Sequence, residues 1–197
     1  INKTSNCKII GICIETRPDA ILLNDQDGEP WIKTLLSWGV TRLQLGMQHI
    51  DNKILKKINR GHTIEQVSKA IQICKDNCFK IDVHVMPDLP LSSPELDKHM
   101  FDIIYSTDLF QPDQMKIYPC EVVPWTVIQR WHKEDIYQPY AQTNERALLD
   151  VVKHAIRSCP PWIRLPRVIR DIPLSYIEGG NMYPNLRQML EAELVKD

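Results

Sequence analysis

Short apolar runs recur along the first part of the chain at a nearly constant interval, and that interval restricts the fold more than any other feature. Cys7–Ile14, Arg42–Met47, Phe79–Met86 and Gln114–Tyr118 are strand candidates, rich in β-branched and other apolar residues. Counted from Ile9, Arg42, Phe79 and Gln114, the intervals are 33, 37 and 35 residues. A right-handed strand–helix–strand unit takes about 30 residues or more, so the period suits parallel strands joined by helical crossovers. Solenoid repeats share such a period, but no residue pattern recurs between these units. A parallel α/β architecture is the expectation.

The segments between the strands carry helix signals. Thr63-Ile64-Glu65-Gln66 forms a capping box, followed by Val67, Ala70, Ile71 and Cys74 on one helical face. Ser93-Pro94-Glu95 combines an N-cap, a first-turn proline and an acid suited to the helix dipole, ahead of Leu96, Met100, Ile103 and Ile104. Asp51 is placed to cap a short helix through Ile54, Leu55 and Ile58. Leu148, Val151, Val152 and Ala155 mark a helix after Thr143, and a last one spans roughly Asn185–Leu194. Beyond Tyr118 the alternation stops, and seven prolines from Pro119 to Pro173 punctuate the chain. The expected organisation is a barrel-like unit over 1–119 and a helical, proline-rich extension over 120–197.

Composition excludes several classes. With 197 residues, 43% of them hydrophobic, the chain is large enough to bury about 70% of its unfolded surface. Seven glycines and no GxGxxG or GxxxxGK[ST] exclude a glycine-rich phosphate loop. The six cysteines are scattered, without the paired spacing of a zinc site, and suit reduced, intracellular thiols; no metal ligand set is expected. Lys plus Arg total 24 against 25 Asp plus Glu, so bulk charge announces neither nucleic acid nor membrane. No apolar run approaches a bilayer span, no secretory leader opens the chain, and the absence of an initiator Met suggests a piece of something longer.

In parallel α/β proteins the working face lies at the carboxyl ends of the strands. Here those ends run into Glu15-Thr16-Arg17-Pro18-Asp19, Gln48-His49, Met86-Pro87-Asp88 and Tyr118-Pro119-Cys120-Glu121. Convergence on one rim would bring Glu15, Arg17, Gln48, His49, Asp88, Lys116 and Tyr118 around a common cleft. Taken singly, each has a plainer explanation: Glu15 and Arg17 could pair with one another, and Asp88 could cap a turn. As a set they point to a site. His84, between apolar neighbours, reads as a satisfied core histidine. Two stretches carry bases without acids: Lys53, Lys56, Lys57 and Arg60 with His62, and Arg157, Arg164, Arg167 and Arg170 around Trp162. A charge run is ordinarily a solvated face, yet two such runs in a near-neutral protein suit a phosphate-backbone track.

Several segments together resemble a known family. They are Ile14-Glu15-Thr16-Arg17-Pro18-Asp19, Thr41-Arg42-Leu43-Gln44-Leu45-Gly46-Met47-Gln48, Asn59-Arg60-Gly61-His62-Thr63, His84-Val85-Met86-Pro87-Asp88-Leu89-Pro90 and Met115-Lys116-Ile117-Tyr118-Pro119. In the tail, Pro160-Pro161-Trp162, Arg167-Val168-Ile169-Arg170-Asp171-Ile172-Pro173, Gly180-Asn181 and Asn185-Leu186-Arg187 agree. In order, and over nearly the whole chain, they resemble the catalytic subunits of Elongator, a radical S-adenosylmethionine tRNA uridine-34 acetyltransferase family.

The resemblance implies a partial parallel (βα) barrel of the radical S-adenosylmethionine type, here its second half, with an extension leading towards an acetyltransferase domain. It implies modification of the tRNA wobble uridine to a carboxymethyl or carbamoylmethyl form. The cofactors implied are S-adenosylmethionine and a four-iron four-sulfur cluster, with acetyl-CoA as co-substrate. The cluster cysteines of the family lie upstream of this segment, so the chain alone is expected to be inactive. Glu15, Arg17, Gln48 and Asp88 are the candidates for S-adenosylmethionine, and Lys116 and Tyr118 for catalytic contacts. Lys53, Lys56, Lys57, Arg60, Arg164, Arg167 and Arg170 are the candidates for RNA. Implied partners are the tRNA anticodon stem-loop, other Elongator subunits, and the missing half-barrel and acetyltransferase domain, with the cytoplasm as the implied location, the nucleus as a second, and no membrane. Leu91 and Asp135 stand where relatives often carry turn glycines. The alternative is a tRNA-binding scaffold without catalysis; an unrelated phosphate-ester barrel enzyme is disfavoured by the missing phosphate loop.

Overall fold

The computed structural model describes residues 4–170, 172–181, 183 and 186–194. Strand β1 (Cys13–Thr16) is followed by helices α1 (Pro18–Ile21) and α2 (Trp31–Ser37), then β2 (Arg42–Gln48), α3 (Asn52–Lys57) and α4 (Ile64–Asp76). Next come β3 (Lys80–Val85), α5 (Pro94–Ser106) and β4 (Gln114–Ile117). The remainder contains α6 (Val127–Lys133), α7 (Tyr140–Thr143), α8 (Glu145–Arg157), β5 (Arg164–Arg167), a 3₁₀ turn at Leu174–Tyr176 and α9 (Leu186–Leu194). All five strands are parallel and lie in the order β1-β2-β3-β4-β5. Sequential parallel order with a crossover at every step is the topology of an α/β barrel segment.

Two strands differ from the sequence expectation. The first was expected over Cys7–Ile14 but begins at Cys13, because its partner begins at Arg42 and the two residues are opposite one another. Ile9 and Ile10, 62% and 94% exposed, have strand composition and no neighbouring strand. The second difference is β5, which extends the alternation past Tyr118: Gln114 pairs in register with Arg164 and Lys116 with Arg167. A four-residue segment of two arginines, a leucine and a proline carries little strand signal, and Pro166 is tolerated because β5 is an edge.

The helix signals are realised locally. Asp51 accepts from the Lys53 amide at 2.6 Å, the Thr63–Gln66 capping box closes from both sides, and Ser93 accepts from the Leu96 amide. Helix α8 is capped by Asn144, whose side chain accepts from the Ala147 amide. The last helix begins at Leu186; Asp171 and Asn185 lie outside the described residues. Leu91 and Asp135 both adopt left-handed backbone, with φ of 76° and 55°. That conformation suits glycine, and Asp adopts it with less strain than Leu.

The two faces of the sheet are unlike. Leu43, Leu45, Met47, Ile81, Val83, Val85, Met115 and Ile117 are all fully buried on one face. They pack with Val67, Ala70 and Ile71 of α4, Met100, Phe101 and Ile104 of α5, and Val151 and Ala155 of α8. Such burial is worth about 1.5–3 kcal/mol per large side chain and dominates the stability. The alternating positions are polar: Arg42 and Gln44 on β2, Asp82 and His84 on β3, Gln114 and Lys116 on β4. A parallel sheet with helices on both faces reads as continuous apolar runs. Alternation therefore reserves one face for something other than a helix.

The extension is anchored beneath the β3 exit by a buried carboxylate. Asp97 of α5, fully buried, accepts from Ser92 Oγ at 2.5 Å, the Asp88 amide at 2.7 Å, Tyr140 Oη at 2.7 Å and His49 Nε2 at 3.2 Å. Since the Asp51 amide donates to His49 Nδ1, the Nε2 of that ring carries its proton. Asp88 receives the Tyr140 and Ala141 amides at 2.8 and 3.0 Å, and its carbonyl accepts from Tyr137 Oη.

Candidate functional site

The polar face carries a row of interacting side chains that crosses four strands, hydrogen-bonded from β2 to β4 and reaching β1 through an ion-pair contact. Register places Glu15 beside Gln44, Gln44 beside Asp82, and His84 beside Lys116. Lys116 Nζ donates to Gln44 Oε1 at 2.7 Å, and His84 Nε2 lies 3.1 Å from the same oxygen. His84 Nδ1 is 3.4 Å from Glu15 Oε1, and the His84 ring meets Tyr118 edge-on, with centroids 5.7 Å apart. Arg42 Nη1 donates to Asp82 Oδ1 at 2.6 Å at the strand-entry side. Burial lowers the His84 pKa and the Lys116 charge lowers it further, while Glu15 and Asp82 oppose this. The Glu15 side chain remains 65% exposed, so the row ends in a reachable carboxylate.

Glu15, Lys116 and Tyr118 are thus brought together, as the rim argument expects, with His84 among them. His84 is buried and hydrogen-bonded, as expected, but it sits in the polar row rather than the apolar core. Gln44, Arg42 and Asp82 were missed. The available signal was the period-2 alternation of β2, β3 and β4, in which every second residue is polar apart from Gly46.

Arg17 pairs with Asp19 rather than Glu15: its Nε donates to Oδ1 at 2.9 Å and its Nη2 to Oδ2. That guanidinium holds the Asp19 carboxyl below its usual range. Arg60 turns inward from its basic stretch, and its Nη2 donates to the Gly46 carbonyl at 3.0 Å. A Cβ at position 46 would lie 2.5 Å from Arg60 Nη2, so a larger residue there would push the guanidinium off this carbonyl. Burial, then the Arg17 charge, lowers the Arg60 pKa. Gln48, at φ 69° beside the β2–β3 irregularity, is 8% exposed and folds over the same glycine, 2.9 Å from that Cβ position.

Asp88 and His49 are not brought into the row. Both are 1% exposed and engaged in anchoring the extension. Of the first basic stretch, Lys53 and Lys56 face solvent and Lys57 Nζ sits 4.4 Å over the Trp131 ring. Of the second, Arg164, Arg167 and Arg170 are exposed along and beyond β5, with Arg167 in register with Lys116. The arginine track therefore adjoins the polar row, whereas the lysines lie on α3.

Among the described residues no group of three or more His, Cys, Asp or Glu side chains could hold a metal ion. Burial pushes the Cys74 and Cys120 thiols up to about 12, away from the thiolate form that ligates metals. No described helix is long and apolar enough to cross a membrane.

A half-barrel whose inner face is polar and whose strand exits carry the charged groups is a site for a polar ligand at the barrel mouth. The chain belongs to the Radical SAM superfamily, whose profile matches residues 1–99, and residues 112–196 match the Radical SAM C-terminal domain. It is 39% identical over 190 residues to the tRNA uridine(34) acetyltransferase of Methanocaldococcus jannaschii, covering 96% of this chain and 34% of that relative. It is 34% identical over 193 residues to Elongator complex protein 3 of Homo sapiens, covering 98% of this chain and 34% of that relative. The solved structure of the archaeal Methanocaldococcus infernus Elp3 with an N-terminal deletion superposes with a TM-score of 0.87 at 37% identity, over 99% of this chain and 44% of that one. The radical S-adenosylmethionine methyltransferase TsrM from Kitasatospora setae shares the fold at 13% identity, with a TM-score of 0.61 over 91% of this chain and 42% of that one. The chain spans about a third of the length of the curated relatives it matches.

Proposed function

We propose that this chain is the second half of the radical domain of a tRNA uridine(34)-modifying enzyme of the Elongator catalytic-subunit type. The observation that carries it is the 37% identity to the archaeal Elp3 structure over 99% of the chain, and the polar row on one face of this chain's sheet supports it. S-adenosylmethionine offers a carboxylate, an ammonium and a ribose, and the residues present fit it: a reachable Glu15 carboxylate, the Lys116 ammonium and the Gln44 amide. Arg17 and Gln48 flank the same rim. The chemistry that S-adenosylmethionine supplies in such enzymes is a 5′-deoxyadenosyl radical. The residues described here do not fit a four-iron four-sulfur cluster, which needs a set of thiolates. That cluster, and the site for acetyl-CoA, would belong to parts of the whole protein outside this chain.

Within it, this chain's residues bind and orient. Glu15 and Lys116 hold opposite charges on one face, Tyr118 narrows the mouth beside His84, and Arg164, Arg167 and Arg170 carry the anticodon stem-loop past Lys116. The remaining Elongator subunits dock elsewhere on the whole protein, in the cytoplasm.

The test is anaerobic reconstitution of the complete reading frame with iron and sulfide, followed by assay for 5′-deoxyadenosine and for modified uridine in tRNA. Both products are expected. Tight tRNA binding with no 5′-deoxyadenosine, and no cysteine triplet upstream of Ile1, would overturn the enzymatic assignment in favour of a binding scaffold.

A further inference from the structure

The proton positions in the polar row follow from one asymmetry: Lys116 can only donate hydrogen bonds. Its Nζ, 2.7 Å from the Gln44 side chain, therefore requires the carbonyl oxygen of that amide on its side. The same oxygen lies 3.1 Å from His84 Nε2, so this nitrogen must donate. In a neutral imidazole the other nitrogen, Nδ1, is then an acceptor. It faces Glu15 Oε1 at 3.4 Å, a second acceptor. The contact is complete only when one proton lies between them.

We propose that Gln44 is a positioning residue: locked by Lys116, its amide holds His84 as the Nε2–H tautomer and makes Glu15 and His84 a one-proton pair that meets ligand at the exposed Glu15 carboxylate. The assignment rests on the polar face being the ligand side of the domain. The ligand chemistry it serves is an N–H or O–H group. That group gives its proton to a Glu15 oxygen and keeps the bonding electron pair, the Glu15–His84 contact holds the proton, and the reverse transfer returns it. The groups facing His84 are Glu15 from β1, Gln44 from β2, Asp82 along its own strand, Lys116 from β4 and Tyr118 just past its end. Burial and Lys116 disfavour the imidazolium more than Glu15 and Asp82 favour it, so the His84 pKa is lowered on balance and the unliganded ring is held towards its neutral form.

Nitrogen-15 NMR of the histidine side chains in the intact chain without ligand reads the tautomer directly, so a negative result is distinct from a failure of S-adenosylmethionine to bind. Above its titration His84 is expected to be protonated at Nε2. Lys116→Met frees the Gln44 amide to rotate, and Gln44→Met removes the acceptor. In both variants Nδ1–H turns to the Glu15 carboxylate, and the tautomer ratio moves by roughly tenfold or more towards Nδ1–H, as a charge-assisted hydrogen bond dictates. Glu15→Gln keeps Nε2–H and lowers the titration midpoint. A wild-type Nδ1–H tautomer overturns the proposal, and so does an unchanged tautomer in folded Lys116→Met and Gln44→Met. A residue that merely filled space at 44 would leave these signals where they are.

Discussion

Asp97 shows what a single buried carboxylate does in this fold. Four donors from the β2 exit, the β3 exit, the start of α5 and the start of α7 converge on its two oxygens. Asn at this position replaces one acceptor with an amide that must face donors, leaving buried groups unmatched. Asp97→Asn is expected to destabilise the chain by about 3 kcal/mol, read as a lower urea midpoint at unchanged slope; a change below about 0.5 kcal/mol would contradict the hub. Neither Asp97 nor Gln44 was legible from the sequence, for a physical reason. Each acts through partners 40 or more residues away, among them His84 and Lys116 for Gln44 and His49 and Tyr140 for Asp97. Glu15, Lys116 and Tyr118 were legible because strand ends announce themselves locally. The same rule placed Asp88 at the rim, where its surroundings instead make it the cap of α7.

At the scale of elements, α3, α4, α5, α8, α9 and the three inner strands follow from nearest-neighbour signals, namely caps, first-turn prolines and apolar periodicity, whereas α1, α2, α6 and α7 carried no signal that was read. Edges do not follow from such signals. A strand exists where a partner runs beside it, which is why β1 starts opposite Arg42 and why β5 forms from a basic, proline-containing segment. The strand status of β5 also orders the basic track, since Arg164 and Arg167 are fixed in register with Gln114 and Lys116 rather than dispersed on a loop. Arg167→Ala combined with Arg170→Ala should weaken tRNA binding and reduce the slope of log affinity against log salt by about 1–2. Filter binding across a salt series decides it; an unchanged slope removes these arginines from the interface.

On the scale of the whole molecule, one face of the sheet is the apolar core and the other a polar row, and most acidic groups near the mouth are held by partners. Glu121, just beyond the β4 exit, is an exception. Its Oε2 is buried without a hydrogen-bond partner, and burial raises its pKa to about 7, with Arg170 opposing. The folded state therefore holds a proton that the unfolded chain releases near 4.5. Its contribution to stability is full below about pH 4.5 and is lost as pH rises through about 7. Asp88, raised by burial to about 7, acts with the same sign. Glu121→Gln should match the wild type at pH 4.5 and exceed it by about 1–2 kcal/mol at pH 8, allowing for the partial exposure of the side chain. Thermal melts at both pH values check this, and equal stabilities at pH 8 would contradict it.

Every role proposed for Glu15, Gln44 and Lys116 requires that S-adenosylmethionine binds on the polar face. Calorimetric titration of S-adenosylmethionine into the reconstituted protein tests that claim most directly, comparing wild type with Glu15→Gln plus Lys116→Met and with Lys69→Met on the outer helix α4. The double variant is predicted to lose at least about tenfold in affinity while Lys69→Met binds normally. Undiminished binding by a folded double variant would contradict it.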